Sequence, residues 1–221
     1  MKTIEIKGDS NLNVLWLHGY GANAWDLLDL AELCDPEGFY NHYFANAPID
    51  LYGQGERGPR AWFPLDLSLL GQIGPGGGGL KLSQQRREGA LAAVPEIDAL
   101  IEEHGFDEKN LVIGGFSQGA ILSLHWMLEK KAHPRGIFLL SGAPVDEEYL
   151  QQKLPEHSGQ RFFQSHGMND EVLSYSEAEK LRSFFKKAEF KGKWIPFKGG
   201  HAVPQVVIEG LAQSLLEWRK D

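Results

Sequence analysis

The 221-residue chain has a single cysteine, Cys34, so no intramolecular disulfide can form. None is needed at this length, where folding buries roughly 70% of the surface that the unfolded chain exposes. H-E-x-x-H, cysteine clusters and histidine pairs spaced i, i+4 on a predicted helix are all missing, which removes the common zinc patterns. No run of 18 apolar residues occurs, so neither a membrane-spanning helix nor stable membrane insertion is expected. Met1 to Gly8 alternate polar with apolar residues and hold no stretch of signal-peptide character. They read as a short strand, and the cytoplasm is the simplest location. Basic residues are in deficit, 22 Lys and Arg against 30 Asp and Glu, and the net charge of −8 disfavours a nucleic-acid partner. No internal repeat and no block of like charge interrupts the chain.

What is present is a globular composition, 42% apolar and 24% charged. Short apolar runs at 14–17, 42–45, 111–113, 136–140, 162–163 and 194–197 alternate with stretches of helical period at about 24–33, 84–104, 118–131, 176–189 and 204–219. Strands covered on both faces by helices read this way. The predicted class is therefore α/β, a mostly parallel central sheet with helices on both faces, in a single domain over 1–221. Pro95 is expected to kink or split the 84–104 helix.

A long Gly-rich loop at about 48–83 breaks the alternation. Its middle carries Trp62, Phe63, Leu65, Leu67, Leu69 and Leu70. Burying each large apolar side chain stabilises by roughly 1.5–3 kcal/mol, so these residues must cover something. They are expected to line a ligand site, with Trp62, Phe63 and Leu65 as substrate-binding residues. The alternative is that the stretch only packs on the fold.

Gly115-Phe116-Ser117-Gln118-Gly119 fits G-x-S-x-G, a weak pattern by itself. Its position strengthens it, because the apolar strand 111–114 precedes it and a helical stretch from Ala120 follows. A serine at such a sharp turn is exposed, and glycines two before and two after let strand and helix approach. A helix N-terminus also places backbone N–H groups and positive dipole where an oxyanion would form.

A serine hydroxyl needs a base, and the base needs an orienting carboxylate. Of the histidines after Ser117, His125 lies inside the helix, His133 precedes a proline at its end, and His157 stands among loop residues. His166 is just past a strand and adjoins a candidate acid loop. His201 follows Lys198-Gly199-Gly200 beyond the last strand and is the preferred base. Two acids are candidates, Asp170 in Ser165-His166-Gly167-Met168-Asn169-Asp170 and Asp146 in Ser141-Gly142-Ala143-Pro144-Val145-Asp146. Asp170 is favoured because its glycine-containing loop can bend back toward His201, while Asp146 has an alternative use as cap of a helix beginning at Glu147.

Leu17-His18-Gly19-Tyr20-Gly21 follows the first long strand. Its glycines allow a backbone N–H to turn toward the serine, and with the N–H of Gln118 this makes a two-donor oxyanion hole. Gly19 to Ala24 also fits G-x-G-x-x-A, but the next strand ends in Asn46-Ala47-Pro48 and supplies no acid for a ribose. Gly53 to Gly58 fits a similar pattern with proline after it and no helix. No nucleotide, other cofactor or metal is expected.

Together these motifs resemble the bacterial serine esterase branch of the phospholipase/carboxylesterase family of α/β-hydrolases, which also includes acyl-protein thioesterases. The matching residues are Leu17 to Asn23 with Asp26-Leu27-Leu28, Arg60-Ala61-Trp62-Phe63, Gly114 to Gly119, His166-Gly167 with Asp170, and Gly200-His201. The chain order Ser117, Asp170, His201 is that of the α/β-hydrolases. The resemblance implies Ser117 as nucleophile, Asp170 and His201 as its partners, and the N–H groups of Tyr20 and Gln118 as oxyanion donors. It further implies a small-molecule or lipid ester substrate, of short to medium acyl chain or a lysophospholipid, cleaved through an acyl-serine. An acyl-protein thioesterase is the alternative within enzymes. The alternative of another class is an inactive hydrolase fold serving as a binding module, against which the complete triad weighs.

Overall fold

The computed structural model describes residues 1–65, 81–82 and 87–220. In its first half the chain forms β1 (Thr3–Ile6), β2 (Asn13–Leu17), α1 (Leu28–Cys34), β3 (Asn41–Ala45), the two-residue strands β4 (Ile49–Asp50) and β5 (Arg60–Ala61), and α2 (Glu88–His104). There follow β6 (Leu111–Phe116), α3 (Gln118–Lys130), β7 (Gly136–Leu140), α4 (Glu147–Lys153), β8 (Arg161–Gly167), α5 (Tyr175–Lys187), β9 (Lys191–Phe197) and α6 (Gln205–Trp218). Seven strands form one sheet in the order β1-β3-β2-β6-β7-β8-β9. Every pairing is parallel except that of the edge strand β1 with β3.

Alternate side chains of the apolar strands enter two separate cores. Leu15, Leu17, Ile113, Ile137 and Leu139 join a cluster with residues of α2, α3, α4 and α5. Val14, Trp16, Val112, Phe138 and Leu140 join another with residues of α1 and α6. Continuous apolar runs are what a sheet with both faces covered requires. The structure is thus the mostly parallel sheet with helices on both faces that the alternation predicts.

Two expectations need correction. α2 is not split at Pro95, which is solvent-exposed, so the carbonyl left without an N–H partner one turn earlier can be hydrated. The 48–61 stretch, read as part of an irregular loop, is ordered around Arg60. β4 and β5 pair Ile49 with Ala61 and Asp50 with Arg60. The Arg60 guanidinium donates to the carbonyls of Ala47, of Pro48 at 2.9 Å and of Gly55 at 2.9 Å. Leu67, Leu69 and Leu70 lie outside the described residues, as does the Gly74–Gly79 stretch.

Candidate active site

The parallel register brings the ends of five strands, β2, β6, β7, β8 and β9, to one edge. Leu17 pairs with Gly115, Phe116 with Leu140, Leu140 with Ser165, and Gly167 with Phe197. The segments that follow β2, β6, β8 and β9 therefore leave the sheet at the same edge, and they carry Tyr20, Ser117, Asp170 and His201.

Ser117 stands between β6 and α3 with φ 54 and ψ −114, a conformation that an L-residue holds only at a cost of about 1–3 kcal/mol. Its N–H donates to the Leu140 carbonyl at 2.8 Å, which ties the turn to the neighbouring strand. Glycine at 115 and 119 is a steric requirement. A Cβ at either position would lie 2.0 Å from the Leu17 carbonyl oxygen. Gly19 packs over the same turn, where an added Cβ would come within 3.4 Å of Ser117 Cβ. The N–H groups of Tyr20 and Gln118 have no hydrogen-bond partner among the described residues.

The loops after β8 and β9 are stitched together by backbone bonds, Met168 N–H to Phe197 O at 2.8 Å and Asn169 N–H to Gly199 O at 2.9 Å. Gly167 permits this, since a Cβ there would lie 2.2 Å from the Gly200 oxygen. Asp170 and His201 consequently meet, with Nδ1 of His201 donating to Oδ2 of Asp170 at 2.7 Å. The other carboxylate oxygen accepts the N–H groups of Val172 at 2.8 Å and Leu173 at 2.9 Å. Burial by itself would raise the Asp170 carboxyl, but hydrogen bonds from His166, His201 and Leu173 hold it well below the usual carboxylate range. The His201 ring lies against Phe116, with centroids 4.7 Å apart, directly beside the residue that precedes Ser117.

A model of the phospholipase/carboxylesterase family matches residues 2–219. The chain belongs to that family. An acyl-protein thioesterase 1 from Yarrowia lipolytica is 28% identical over 207 residues, 89% of this chain and 86% of its own length. Among solved structures, esterase PE8 superposes with a TM-score of 0.77 at 24% identity, covering 97% of each chain. A carboxylesterase from Bacillus cereus gives 0.73 at 22% identity, covering 99% of this chain and 94% of its own. Family membership makes the protein a hydrolase of the esterase and thioesterase kind.

Against that family background, the rival residues have other partners. Asp146 caps α4, accepting the Tyr149 N–H at 3.2 Å, and pairs with Arg87 at 2.5 Å. His125 is buried on α3 and stacks on Tyr149. His133 and His157 lie ring to ring at 4.8 Å on the segments leading into β7 and β8, away from the strand ends that carry Ser117. His166, which adjoins the Asp170 loop in sequence, touches the site. Its Nε2 donates to Leu173 O at 2.9 Å and reaches Asp170 Oδ2, the oxygen that also accepts from His201, at 3.2 Å. The readable signal was the spacing of His166 and Asp170 around Gly167.

Trp62 and Phe63, expected to bind substrate, pack inside the fold. They are 2% and 6% exposed and belong to the core on the α2 and α3 side of the sheet, and Leu65 is half-buried against it. Trp62 N–H donates to Gln118 Oε1 at 2.9 Å, Gln118 Nε2 donates to Phe63 O at 2.8 Å, and the Trp62 indole N–H donates to His18 O at 2.8 Å. A Trp-Phe pair this apolar was read for its surface, and its backbone and indole donors carry no periodic signal.

His18 is fully buried, with Nε2 accepting the Ala47 N–H at 3.1 Å and Nδ1 bonded to Gly19 O at 2.8 Å. Burial lowers both His18 and His125 to about 4. An unfolded chain takes up protons on these rings below about pH 6.5, while the folded chain does not until about pH 4. Stability from this source is complete above about pH 6.5 and is lost as pH falls toward 4, by about 3 kcal/mol per histidine. Urea unfolding at pH 7 and pH 4.5 should show this decline, and His125→Leu should remove about half of it. An unchanged pH slope in the variant would contradict the assignment.

Proposed function

We propose that the protein is a serine hydrolase that cleaves carboxylic esters through an acyl intermediate on Ser117. The observation that carries this reading is the 2.7 Å hydrogen bond from His201 Nδ1 to a buried Asp170, formed at the sheet edge where Ser117 stands in a strained turn. With Nδ1 donating to the carboxylate, Nε2 of the neutral imidazole is the nitrogen that accepts the Ser117 proton. The serine oxygen then attacks the ester carbonyl, and the oxyanion is met by the N–H groups of Tyr20 and Gln118. His201 returns its proton to the leaving alcohol, and water releases the acid by the same steps in reverse. Leu65, half-buried against the core, is the residue of the apolar stretch that this reading assigns to contact with the acyl chain. No described helix is long and apolar enough to cross a membrane.

Thioester cleavage is a second reading, favoured by the near full-length similarity to an acyl-protein thioesterase. The chemistry is shared, so a substrate panel separates the two. Hydrolysis of p-nitrophenyl esters of rising acyl length should exceed hydrolysis of a matched acyl thioester and of a lysophospholipid. A higher kcat/KM on the thioester would replace the ester reading with the second. A fluorophosphonate probe should label Ser117 in either case, and absence of labelling would favour the binding-module alternative.

A further inference from the structure

The geometry points to Trp62 and the Gln118 side chain as positioning residues that brace the two oxyanion donors against each other, an inference that rests on the serine-hydrolase reading above. Backbone N–H groups stabilise an oxyanion only when their positions are set before the charge develops. Tyr20 lies in a glycine-flanked turn, and Gly21 has φ 78. The carbonyl of the Gly19–Tyr20 peptide is tied within the turn, accepting Ala22 N–H at 3.2 Å and bonding His18 Nδ1 at 2.8 Å, while the 60–63 segment holds the peptides that flank it on both sides. On one side, Gly21 N–H donates to Arg60 O at 2.8 Å and Arg60 N–H donates to Ala22 O at 2.9 Å. On the other, the Trp62 indole N–H donates to His18 O at 2.8 Å.

The same segment grips the second donor. The Gln118 carboxamide accepts from Trp62 N–H at 2.9 Å and donates to Phe63 O at 2.8 Å, a two-point contact that fixes the first residue of α3. Gln118 and Trp62 are 1% and 2% exposed, so water is not there to substitute for a lost partner. One tryptophan thus connects the carbonyl two residues before Tyr20 with the side chain of Gln118. Arg60 is held in turn by the carbonyls of Ala47, Pro48 and Gly55, which makes the brace rigid along its length.

Trp62→Phe keeps the ring packing and deletes the indole N–H, and Gln118→Met keeps the length of the side chain and the backbone donor while deleting both carboxamide bonds. Removing an oxyanion donor outright costs on the order of 10²–10³ in kcat. Loosening one through its support is expected to lower kcat per active site about tenfold in each variant, with KM within about twofold. Active sites are counted by fluorophosphonate labelling of Ser117, so a fraction of unfolded enzyme does not enter the rate. The inhibition constant of a trifluoromethyl ketone, which forms a tetrahedral oxyanion on the serine, should rise by the same factor as kcat falls. A residue that only fills the core would reduce the number of labelled sites and leave both quantities per site unchanged. Wild-type kcat and trifluoromethyl ketone affinity per labelled site in the two variants would overturn the brace and leave the serine reading standing. Failure of the probe to label Ser117 in the wild-type protein would overturn both. If Trp62→Phe does not fold, Gln118→Met carries the same comparison.

Discussion

Ser117→Ala is expected to lower kcat by on the order of 10⁴–10⁶ while leaving the protein folded. The hydroxyl supplies the atom that bonds to the acyl carbon, and no other described serine shares its place between the strand end and the helix start. Ser141, the next candidate along the edge, has its N–H on Ser165 O at 3.0 Å and its hydroxyl turned toward Ala202 O. Alanine and serine tolerate φ 54 about equally, so the turn's strain is unchanged by the substitution. The close contacts of Gly115 and Gly119 with Leu17, which position the turn, are untouched as well. Circular dichroism and a thermal midpoint within about 2–4 °C of wild type, the shift produced by about 1 kcal/mol in a chain of this size, would establish that the fold persists. Retention of more than about a tenth of wild-type activity, with contamination excluded, would contradict the mechanism.

Asp170→Asn should lower kcat by about 10⁴, the scale of losing the carboxylate that orients a catalytic imidazole. An asparagine can present its NH₂ to His201 Nδ1, which then favours the tautomer with Nδ1 as acceptor and leaves Nε2 unable to take the serine proton. Asp146→Asn should leave kcat within about twofold, because that side chain serves α4 and Arg87 and asparagine caps a helix as well as aspartate does. The reverse ranking would move the acid to the loop after β7. Stability also changes in the Asp170 variant. The folded carboxyl titrates below its unfolded value, so its contribution is present above about pH 4 and is lost as pH falls further. Asp170→Asn should therefore flatten the acid limb of the stability profile as well as slow the reaction.

Much of the sheet was legible because both of its faces are buried, which forces unbroken apolar runs such as Val14 to Leu17 and Gly136 to Leu140. The strands were read too short where they approach the site. β8 extends through Gln164, Ser165 and His166, polar side chains that are buried and therefore invisible to a search for apolar runs. Gln164 is accommodated by a 2.9 Å bond to Ala178 O, a partner that lies on α5 and that no local pattern reveals. The glycines of the site were informative for a related reason. Gly115, Gly119 and Gly167 stand where backbone meets backbone, so small residues at those spacings carry a steric meaning that survives without coordinates.

The hydrogen bonding of Trp62 is not legible in the sequence. An apolar residue in a long loop can face a ligand or the core, and only tertiary contacts decide between them. Here the indole is needed inside, as a donor to His18 O. β4 and β5 escaped for a simpler reason, since two residues define no period. Asp170 was preferred over Asp146 on the bend that Gly167 permits, and the bonds from Met168 and Asn169 to the His201 loop are the physical form of that bend.

The covalent intermediate is the central claim, and its capture tests it most directly. Wild-type protein mixed with a p-nitrophenyl ester, quenched in acid within the first turnovers and measured by intact mass, should gain the mass of one acyl group. Digestion should place that group on the peptide containing Ser117, and a burst of p-nitrophenol equal to the enzyme concentration should accompany it. Turnover with no acylated species at any quench time, or an acyl group on another residue, would contradict the account.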